Sequence, residues 1–230
     1  MPFHRITAIA GLVFIVAVIF SVALLGGDEL TVDNSPSEVR SYLSGDEAMH
    51  RWSVFFSVMA LPFAAIFFAG VVSSLQASDR EHGEAWAVVA LLGAVLLGAA
   101  AGTADTLLAI LFFRGGEGLD DSTILALQDG QRIAYASMGP AMAILMVAVA
   151  LSGMRHQTWP VWHAMLGLAG AAASIIAPLS VLSPDGDIQV AALFAFPALL
   201  IWSLASCVLL LRTPSASAQS SAPLGSPAGT

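Results

Sequence analysis

Asp105 is the residue of this chain whose surroundings point most directly to chemistry. It is the one acidic residue inside any of the long apolar runs, and its run extends from Ala85 to Phe113. A carboxylate near the middle of a membrane-spanning helix costs about 2.5 to 3.5 kcal/mol, so it normally faces protein or water and has a partner. Helical rise places Asp105 about 12 Å from the Phe113 end of the run.

Two glycines are predicted to share a helix face with this carboxylate. The helical repeat brings Gly98, Gly102 and Asp105 within about 60° of one another. Gly98 and Gly102 form a small-xxx-small motif, which permits close approach of a neighbouring backbone. We therefore predict that Gly98 and Gly102 pack against another helix and that Asp105 faces the interior.

Polar residues at the matching depth of the other apolar runs supply candidate partners for Asp105: His50, Arg51, Ser53, Ser57, Arg132, Tyr135, Ser180 and Gln189. We predict an outward-opening ligand-binding pocket in which Asp105 pairs with Arg132 or Arg51. Tyr135 and His50 complete its lining. The alternative is that Asp105 is a packing residue, protonated or bonded to a hydroxyl group beside Thr103 and Thr106.

The usual parts of a catalytic or cofactor site are missing from the sequence. There is no lysine for a Schiff base, and the single cysteine, Cys207, excludes an internal disulfide. The histidines do not occur at i, i+3 or i+4 spacing, and there is no HExxH motif, Gly-rich phosphate loop or GxSxG nucleophile motif. We predict a protein without a metal or cofactor that is not an enzyme.

The elements that must position Asp105 are transmembrane helices. The chain is 57% hydrophobic and 10% charged, whereas soluble domains carry about 25% charge. A bilayer core needs roughly 20 residues of helix. Six runs meet this length: Ile6 to Leu25, Trp52 to Leu75, Ala85 to Phe113, Ile133 to Met154, Trp159 to Ser183, and Ile188 to Leu211. The predicted fold is an all-α membrane protein with a bundle of six transmembrane helices.

Arginine positions predict the orientation of this bundle. Four arginines flank the runs on each side, so the count alone does not decide. Arg5 directly precedes the first run, whereas the segment after Leu25 has no basic residue before Arg40. We therefore predict that both termini are cytoplasmic. The net charge of −8 argues against a nucleic-acid partner.

The two outer loops are predicted to contain short amphipathic helices. In the first, Ser35, Pro36 and Glu38 form a capping box with proline at the first helical position. In the second, Asp121 or Ser122 precedes apolar residues at helical spacing. These helices either cover the bundle or lie in the headgroup region of the bilayer. Residues 1–212 form the predicted transmembrane domain, and 213–230 a disordered cytoplasmic tail.

The end of the chain resembles a family of small bacterial integral membrane proteins of unknown function. The resemblance lies in three segments: Trp159-Pro-Val-Trp-His-Ala-Met-Leu-Gly-Leu-Ala-Gly-Ala-Ala, then Ser183-Pro-Asp-Gly186, then Phe196-Pro-Ala-Leu-Leu-Ile-Trp-Ser-Leu-Ala-Ser-Cys-Val-Leu-Leu-Leu-Arg212. It implies about six helices in a bacterial plasma membrane and assigns no catalytic residue.

The predicted function is a non-enzymatic accessory or small-ligand or lipid-binding module, whose partners are the lipid bilayer and another membrane subunit or a small solute. The alternatives are a small transporter that binds a proton or cation at Asp105 and, least favoured, a membrane enzyme.

Overall fold

The described part of the chain is entirely helical. The computed structural model describes residues 2–25, 35–114, 118–176, 178–179 and 187–212, with the backbone alone for 187–193. The predicted tail, Ser180 and the loop at Ser183 to Gly186 lie outside the described residues. The helices are α1 (Phe3–Leu25), α2 (Pro36–Leu43), α3 (Glu47–His82), α4 (Trp86–Arg114), α5 (Asp121–His156), α6 (Val161–Ile176) and α7 (Asp187–Arg212).

Five of these helices contain a segment long and apolar enough to cross a bilayer: α1, α3, α4, α5 and the Phe194–Arg212 part of α7. The sixth predicted span corresponds to α6, which has 16 described residues and is shorter than a bilayer needs. Among the described residues, the structure therefore shows only helices as regular elements and five candidate spans.

The long helices form a ring in which each packs against the next along the chain, and α7 closes the ring against α1. Helix α3 also contacts α5 across the ring. The centre is filled by large side chains, including the fully buried Phe67, Leu145, Met146 and Trp202. This is a packed core.

The two ends of the bundle differ in structure. The terminal end holds the start of α1 and the end of α7. The far end holds α2, where the Tyr42 hydroxyl donates a hydrogen bond to the Leu25 carbonyl of α1 at 3.0 Å. The turn from α3 to α4 lies at the terminal end, and Gly83 makes it possible with φ +68, a conformation that favours glycine.

Glycines permit close helix contacts, but not at the predicted positions. A Cβ added to Gly70 of α3 would lie 2.1 Å from Thr7 Oγ1 of α1, and one added to Gly93 of α4 would lie 2.7 Å from the backbone nitrogen of Leu145. By contrast, a Cβ on Gly98 would meet nothing within 4 Å, and one on Gly102 would meet Leu61 at an ordinary 3.9 Å. Among the glycines of α4, Gly93 has the closest neighbouring backbone, and Gly98 has no close neighbour among the described residues.

The helix bounds correct one prediction about the outer loops. The capping box at Ser35 is confirmed, since Ser35 and Glu38 each accept a hydrogen bond from the other's backbone nitrogen. The second predicted short helix is instead the beginning of α5, which runs without a break from Asp121 and is capped by Asp120. The polar segment from Gln128 to Arg132, which separates the two apolar stretches, is itself helical, so both stretches belong to one helix.

Candidate functional site

Asp105 lies in the interface between α3 and α4. Asp105 is 6% exposed, and its Oδ2 accepts a hydrogen bond from the Ser57 hydroxyl of α3 at 2.7 Å. This placement follows from the helical repeat, because Asp105, Leu108 and Phe112 lie on one face of α4 and all three are buried. The carboxylate therefore faces protein.

The second oxygen of this carboxylate remains available. Within the described part of the chain Oδ1 accepts no hydrogen bond, and it is not one of the fully enclosed unpartnered atoms. The neighbouring hydroxyls of Thr103 and Thr106 do not bind it, since they donate to the Ala99 and Gly102 carbonyls of their own helix. Oδ1 of Asp105 is therefore an accessible hydrogen-bond acceptor.

The predicted ion pairs of Asp105 are not formed in the structure. Arg51 pairs with Glu47 in its own helix, and its guanidinium lies 5.8 Å from the ring centroid of Phe113. Gly130 of α5 lies beside Leu107, which places the half-buried Arg132 at about the depth of Asp105. No ion pair of Arg132 occurs among the described residues.

Tyr135, the other α5 residue predicted for the pocket, is 40% exposed and does not hydrogen-bond to Asp105 in the described structure. The structure brings Asp105 together with Ser57 and leaves Arg51 and Arg132 outside that contact, whereas Tyr135 lies within electrostatic range of Asp105. A role of these residues in holding a ligand stays a prediction.

An apolar and aromatic layer separates Asp105 from the far end. His50, 5% exposed, stacks on Phe112 with ring centroids 4.3 Å apart and lies 5.0 Å from Tyr42 of α2. His50 precedes Ser57 by seven residues, which is about 10 Å along the helix. The layer also contains Val39, Leu43, Val54, Leu108, Leu111 and Ile124. His50 is therefore part of the covering layer above Asp105.

Helix α2 completes this cover. Arg40 donates to Asp121 Oδ1 at 2.9 Å and to the Leu119 carbonyl at 2.6 Å, which attaches α2 to the start of α5. Val39 and Leu43 are buried against the layer below. Two placements were predicted for α2, over the bundle or in the headgroup region. The structure shows α2 packed over the bundle.

We call the hydrogen bonds from Arg40 to Asp121 and to the Leu119 carbonyl the Arg40 clasp. Removing this clasp should loosen α2 without unfolding the bundle. We expect Arg40→Ala to increase amide hydrogen exchange of 36–43, measured by mass spectrometry in lipid nanodiscs. The unfolding free energy should fall by about 1 kcal/mol or less, since the pair with Asp121 is partly exposed. Arg51→Ala is the control because its partner Glu47 lies in the same helix. Equal exchange in both variants would contradict the clasp.

A groove of about 480 Å³ lies between α4 and α5, apart from Asp105. Its lining is mostly small or aliphatic and includes the Thr103 and Ser137 side chains and Pro140. Asp105 is not among its lining residues. The groove has no charged side chain, so it does not form part of the predicted polar pocket.

A second buried carboxylate, Asp79, lies at the terminal end. It is 2% exposed, and its Oδ2 accepts a hydrogen bond from the Ala87 backbone nitrogen at 2.5 Å. Its Oδ1 accepts one from the Ser152 hydroxyl of α5 at 2.8 Å. Asp79 therefore caps the start of α4 and joins three helices.

Other ionisable side chains surround Asp79. His156 Nε2 lies 3.4 Å from Asp79 Oδ1 and 3.2 Å from Glu84 Oε2, and Arg155 pairs with Glu84 Oε1 at 3.2 Å. The His82 ring centroid is 4.3 Å from that of His156. We call Asp79, Glu84, Arg155 and His156 the end cluster.

The sequence interpretation missed Asp79 because it follows the apolar run that ends at Leu75. The predicted transmembrane run stops at Leu75, whereas α3 continues to His82. A signal was present: Leu75 and Asp79 are four residues apart and share a helix face, and both are buried. Ser152 and His156 have the same spacing on α5.

His163 is buried in the contact between α6 and α7. It is 1% exposed, and its Nε2 is 2.9 Å from the Ser206 hydroxyl of α7. Trp159 packs against it with ring centroids 4.4 Å apart. His163 is therefore an interior residue of the α6–α7 contact, while Trp162 is exposed.

No group of three or more His, Cys, Asp or Glu residues in the described ranges is arranged to hold a metal ion. Comparisons with protein-family models, with curated proteins and with solved structures found no match to this chain. The site must therefore be interpreted from its own geometry.

Proposed function

We propose that this chain is a six-helix integral protein of a bacterial plasma membrane that acts as a non-catalytic binding module for a small cation or hydrogen-bond donor at Asp105. Both termini are cytoplasmic in this proposal, because Arg5 directly precedes α1. Helix α6 is taken as the sixth span, because it connects the terminal end of α5 to the far-end start of α7.

The free Oδ1 atom of Asp105 is the observation that supports this function best. The described structure provides one neutral hydroxyl donor, Ser57, and no cation within ion-pair distance of the carboxylate. A buried carboxylate without a cation is unfavourable unless it is protonated or acquires a positive partner. A ligand that brings positive charge or an N–H donor would satisfy it.

The cover over the far end suggests how a ligand reaches this site. The His50–Phe112 stack and α2 lie between Asp105 and the far end. Entry from that side therefore requires α2 to move, and the Arg40 clasp is the polar contact to be released. Arg132, at a similar depth and without an ion pair in the described structure, is placed to bind an anionic group of the same ligand.

Ligand binding at Asp105 is testable by thermal unfolding. Sodium, tetramethylammonium and spermidine serve as probes on the full chain in nanodiscs. A probe at 100 times its dissociation constant should stabilise the wild type by about 2.7 kcal/mol. This stabilisation should be lost in Asp105→Asn, whose amide oxygen still accepts from Ser57.

The control is Thr106→Val, which changes an adjacent exposed residue whose hydroxyl binds its own helix. It should keep the full stabilisation by the probe. Stabilisation that persists in Asp105→Asn, or no stabilisation of the wild type by any of the three probes, would contradict the proposed site.

A transporter coupled to protons or cations is the second candidate function. The observation that favours it is the pair of buried carboxylates on the α3–α4 pair, Asp79 at the terminal end and Asp105 in the far half. A transporter would move protons or one of the probe cations into sealed proteoliposomes, as measured with an internal dye. A binding module would show stabilisation by the probe without flux.

A further inference from the structure

We propose that the groove between α4 and α5 binds a glycerophospholipid, with one acyl chain in the groove and the phosphate on Arg114 at the far end of α4. This inference does not depend on what Asp105 binds, because Asp105 and Ser57 are not among the residues that line the groove.

The groove offers a ligand carbon surface and few hydrogen bonds. None of its lining residues is charged, and its two hydroxyl groups belong to Thr103 and Ser137. Both hydroxyls donate within their own helices, to the Ala99 carbonyl at 2.9 Å and to the Ala134 carbonyl at 2.7 Å. A polar ligand would lose its hydrogen bonds to water there, so the groove favours hydrocarbon.

The groove lies at the depth of the acyl chains. Its lining on α4 runs from Leu96 to Thr103, around the middle of a 29-residue helix that is long and apolar enough to span a bilayer. Leu96 and Ile133 of the lining are 53% and 59% exposed. In a bilayer these exposed apolar side chains face lipid tails, so an acyl chain reaches the groove directly from the membrane.

The length of the groove fits one acyl chain. On α5 the lining extends from Gly130 to Ile144, which is about 21 Å along the helix. Half of a bilayer core is about 15 Å thick. The groove volume of about 480 Å³ lies within the range of roughly 300 to 1,000 Å³ that is usual for ligand pockets.

Arg114 places a positive charge above the groove on the same face of α4. Leu96, Thr103 and Arg114 are separated by seven and eleven residues, which brings them within about 20° of one another around the helix. The 29 residues of α4 are about 43 Å long, close to the 40 to 45 Å of a bilayer with its headgroups. Arg114, the last residue of α4, therefore lies at headgroup depth.

Arg114 has its charge available for a ligand. It is exposed and forms no ion pair within the described part of the chain. The acidic residues that begin α5 are engaged elsewhere, since Asp120 accepts from the Thr123 backbone nitrogen at 2.7 Å and Asp121 pairs with Arg40 at 2.9 Å. A guanidinium group binds phosphate through two parallel hydrogen bonds.

The distance between the groove and the charge favours a phospholipid over a fatty acid. Arg114 lies about 27 Å from Leu96 along α4, which exceeds half of the bilayer core by about 12 Å. The anion must therefore be separated from the chain by a polar spacer. The glycerol of a phospholipid provides this spacer, whereas the carboxylate of a fatty acid directly follows its chain.

Native mass spectrometry of the full chain tests the proposal with defined lipids added to detergent micelles. Phosphatidylethanolamine with two oleoyl chains should form a complex of one lipid per chain. Diacylglycerol with the same chains should bind the wild type about fivefold more weakly, which corresponds to about 1 kcal/mol for one basic residue at a lipid surface. This comparison needs no variant.

Two pairs of variants locate the lipid. Thr103→Leu fills the groove and should weaken phosphatidylethanolamine binding roughly tenfold, as expected from overpacking. Thr106→Leu is its control, because Thr106 is also exposed and bonded to its own helix but does not line the groove. Arg114→Gln should weaken binding about fivefold, whereas Arg80→Gln, which removes an exposed arginine at the terminal end, should not.

Three results would overturn the proposal. The first is equal affinity of the wild type for phosphatidylethanolamine, diacylglycerol and oleic acid. The second is equal weakening by Thr103→Leu and Thr106→Leu. The third is a wild-type dimer without bound lipid that dissociates in Thr103→Leu, which would assign the groove to a second copy of the chain.

Discussion

Asp79→Ala is expected to destabilise the protein by about 2 to 6 kcal/mol, because each of two buried donors left without its acceptor costs about 1 to 3 kcal/mol. The change leaves the Ala87 backbone nitrogen and the Ser152 hydroxyl without their acceptor. It also removes one of the two carboxylates beside His156. Chemical or thermal unfolding of the full chain in detergent micelles provides the measurement.

Asp46→Ala is the matched control for Asp79→Ala. Asp46 also caps a helix, since its side chain accepts from the Met49 backbone nitrogen at 3.3 Å, but it is exposed at the start of α3. Loss of an exposed cap costs about 1 kcal/mol. The difference between the two variants measures what burial and the end cluster add. Equal destabilisation would show that Asp79 contributes only as a cap.

Asp79→Asn separates charge from hydrogen bonding at the same position. An asparagine oxygen can accept from Ala87 or from Ser152, but the amide has no negative charge for His156. We expect an intermediate loss of stability.

Hydropathy predicted the limits of those helices that begin and end where the sequence changes between apolar and polar residues. The predicted runs beginning at Ile6, Ala85 and Ile188 differ from α1, α4 and α7 by no more than a few residues at either end. Crossing a bilayer requires helices of this length and apolarity, and both properties can be read from the sequence. Capping chemistry predicted α2 equally well, because its hydrogen bonds are local.

The ends of α3 and α5 could not be found in this way. Both helices continue into charged segments, to His82 and from Asp121, because polar residues outside the apolar region form helix as readily as a loop. The consequence for the site was large. Because the predicted run ends at Leu75, the sequence predicted Asp105 as a buried carboxylate and did not predict Asp79.

The partner of Asp105 depended on information that the sequence does not contain. Helix order predicted a matching depth for Arg132, but depth does not fix the rotation of α5 against α4. The structure directs Asp105 to Ser57 of α3 instead. Ser57 was among the candidate partners. The sequence analysis favoured an arginine over it, because a carboxylate attracts a cation more strongly than a neutral hydroxyl.

Gly93→Ala and Gly98→Ala should have opposite consequences although they change the same residue type in the same helix. At Gly93 the new Cβ would lie 2.7 Å from the backbone nitrogen of Leu145 and 3.0 Å from its Cα, so α4 and α5 must separate. Overpacking of this kind typically costs about 1 to 3 kcal/mol. At Gly98 the new Cβ meets nothing, and alanine favours the helix over glycine by about 1 kcal/mol.

The unfolding free energy of each variant, together with its oligomeric state by light scattering, completes this comparison. Gly93→Ala should lose stability without a change in its oligomeric state. Gly98→Ala should keep or gain stability, because a Cβ at this position meets no described atom within 4 Å. If Gly98→Ala instead destabilised the protein and dissociated an oligomer, the Gly98 face would be a contact between two copies. Loss of stability without a change in oligomeric state would contradict the open position of Gly98.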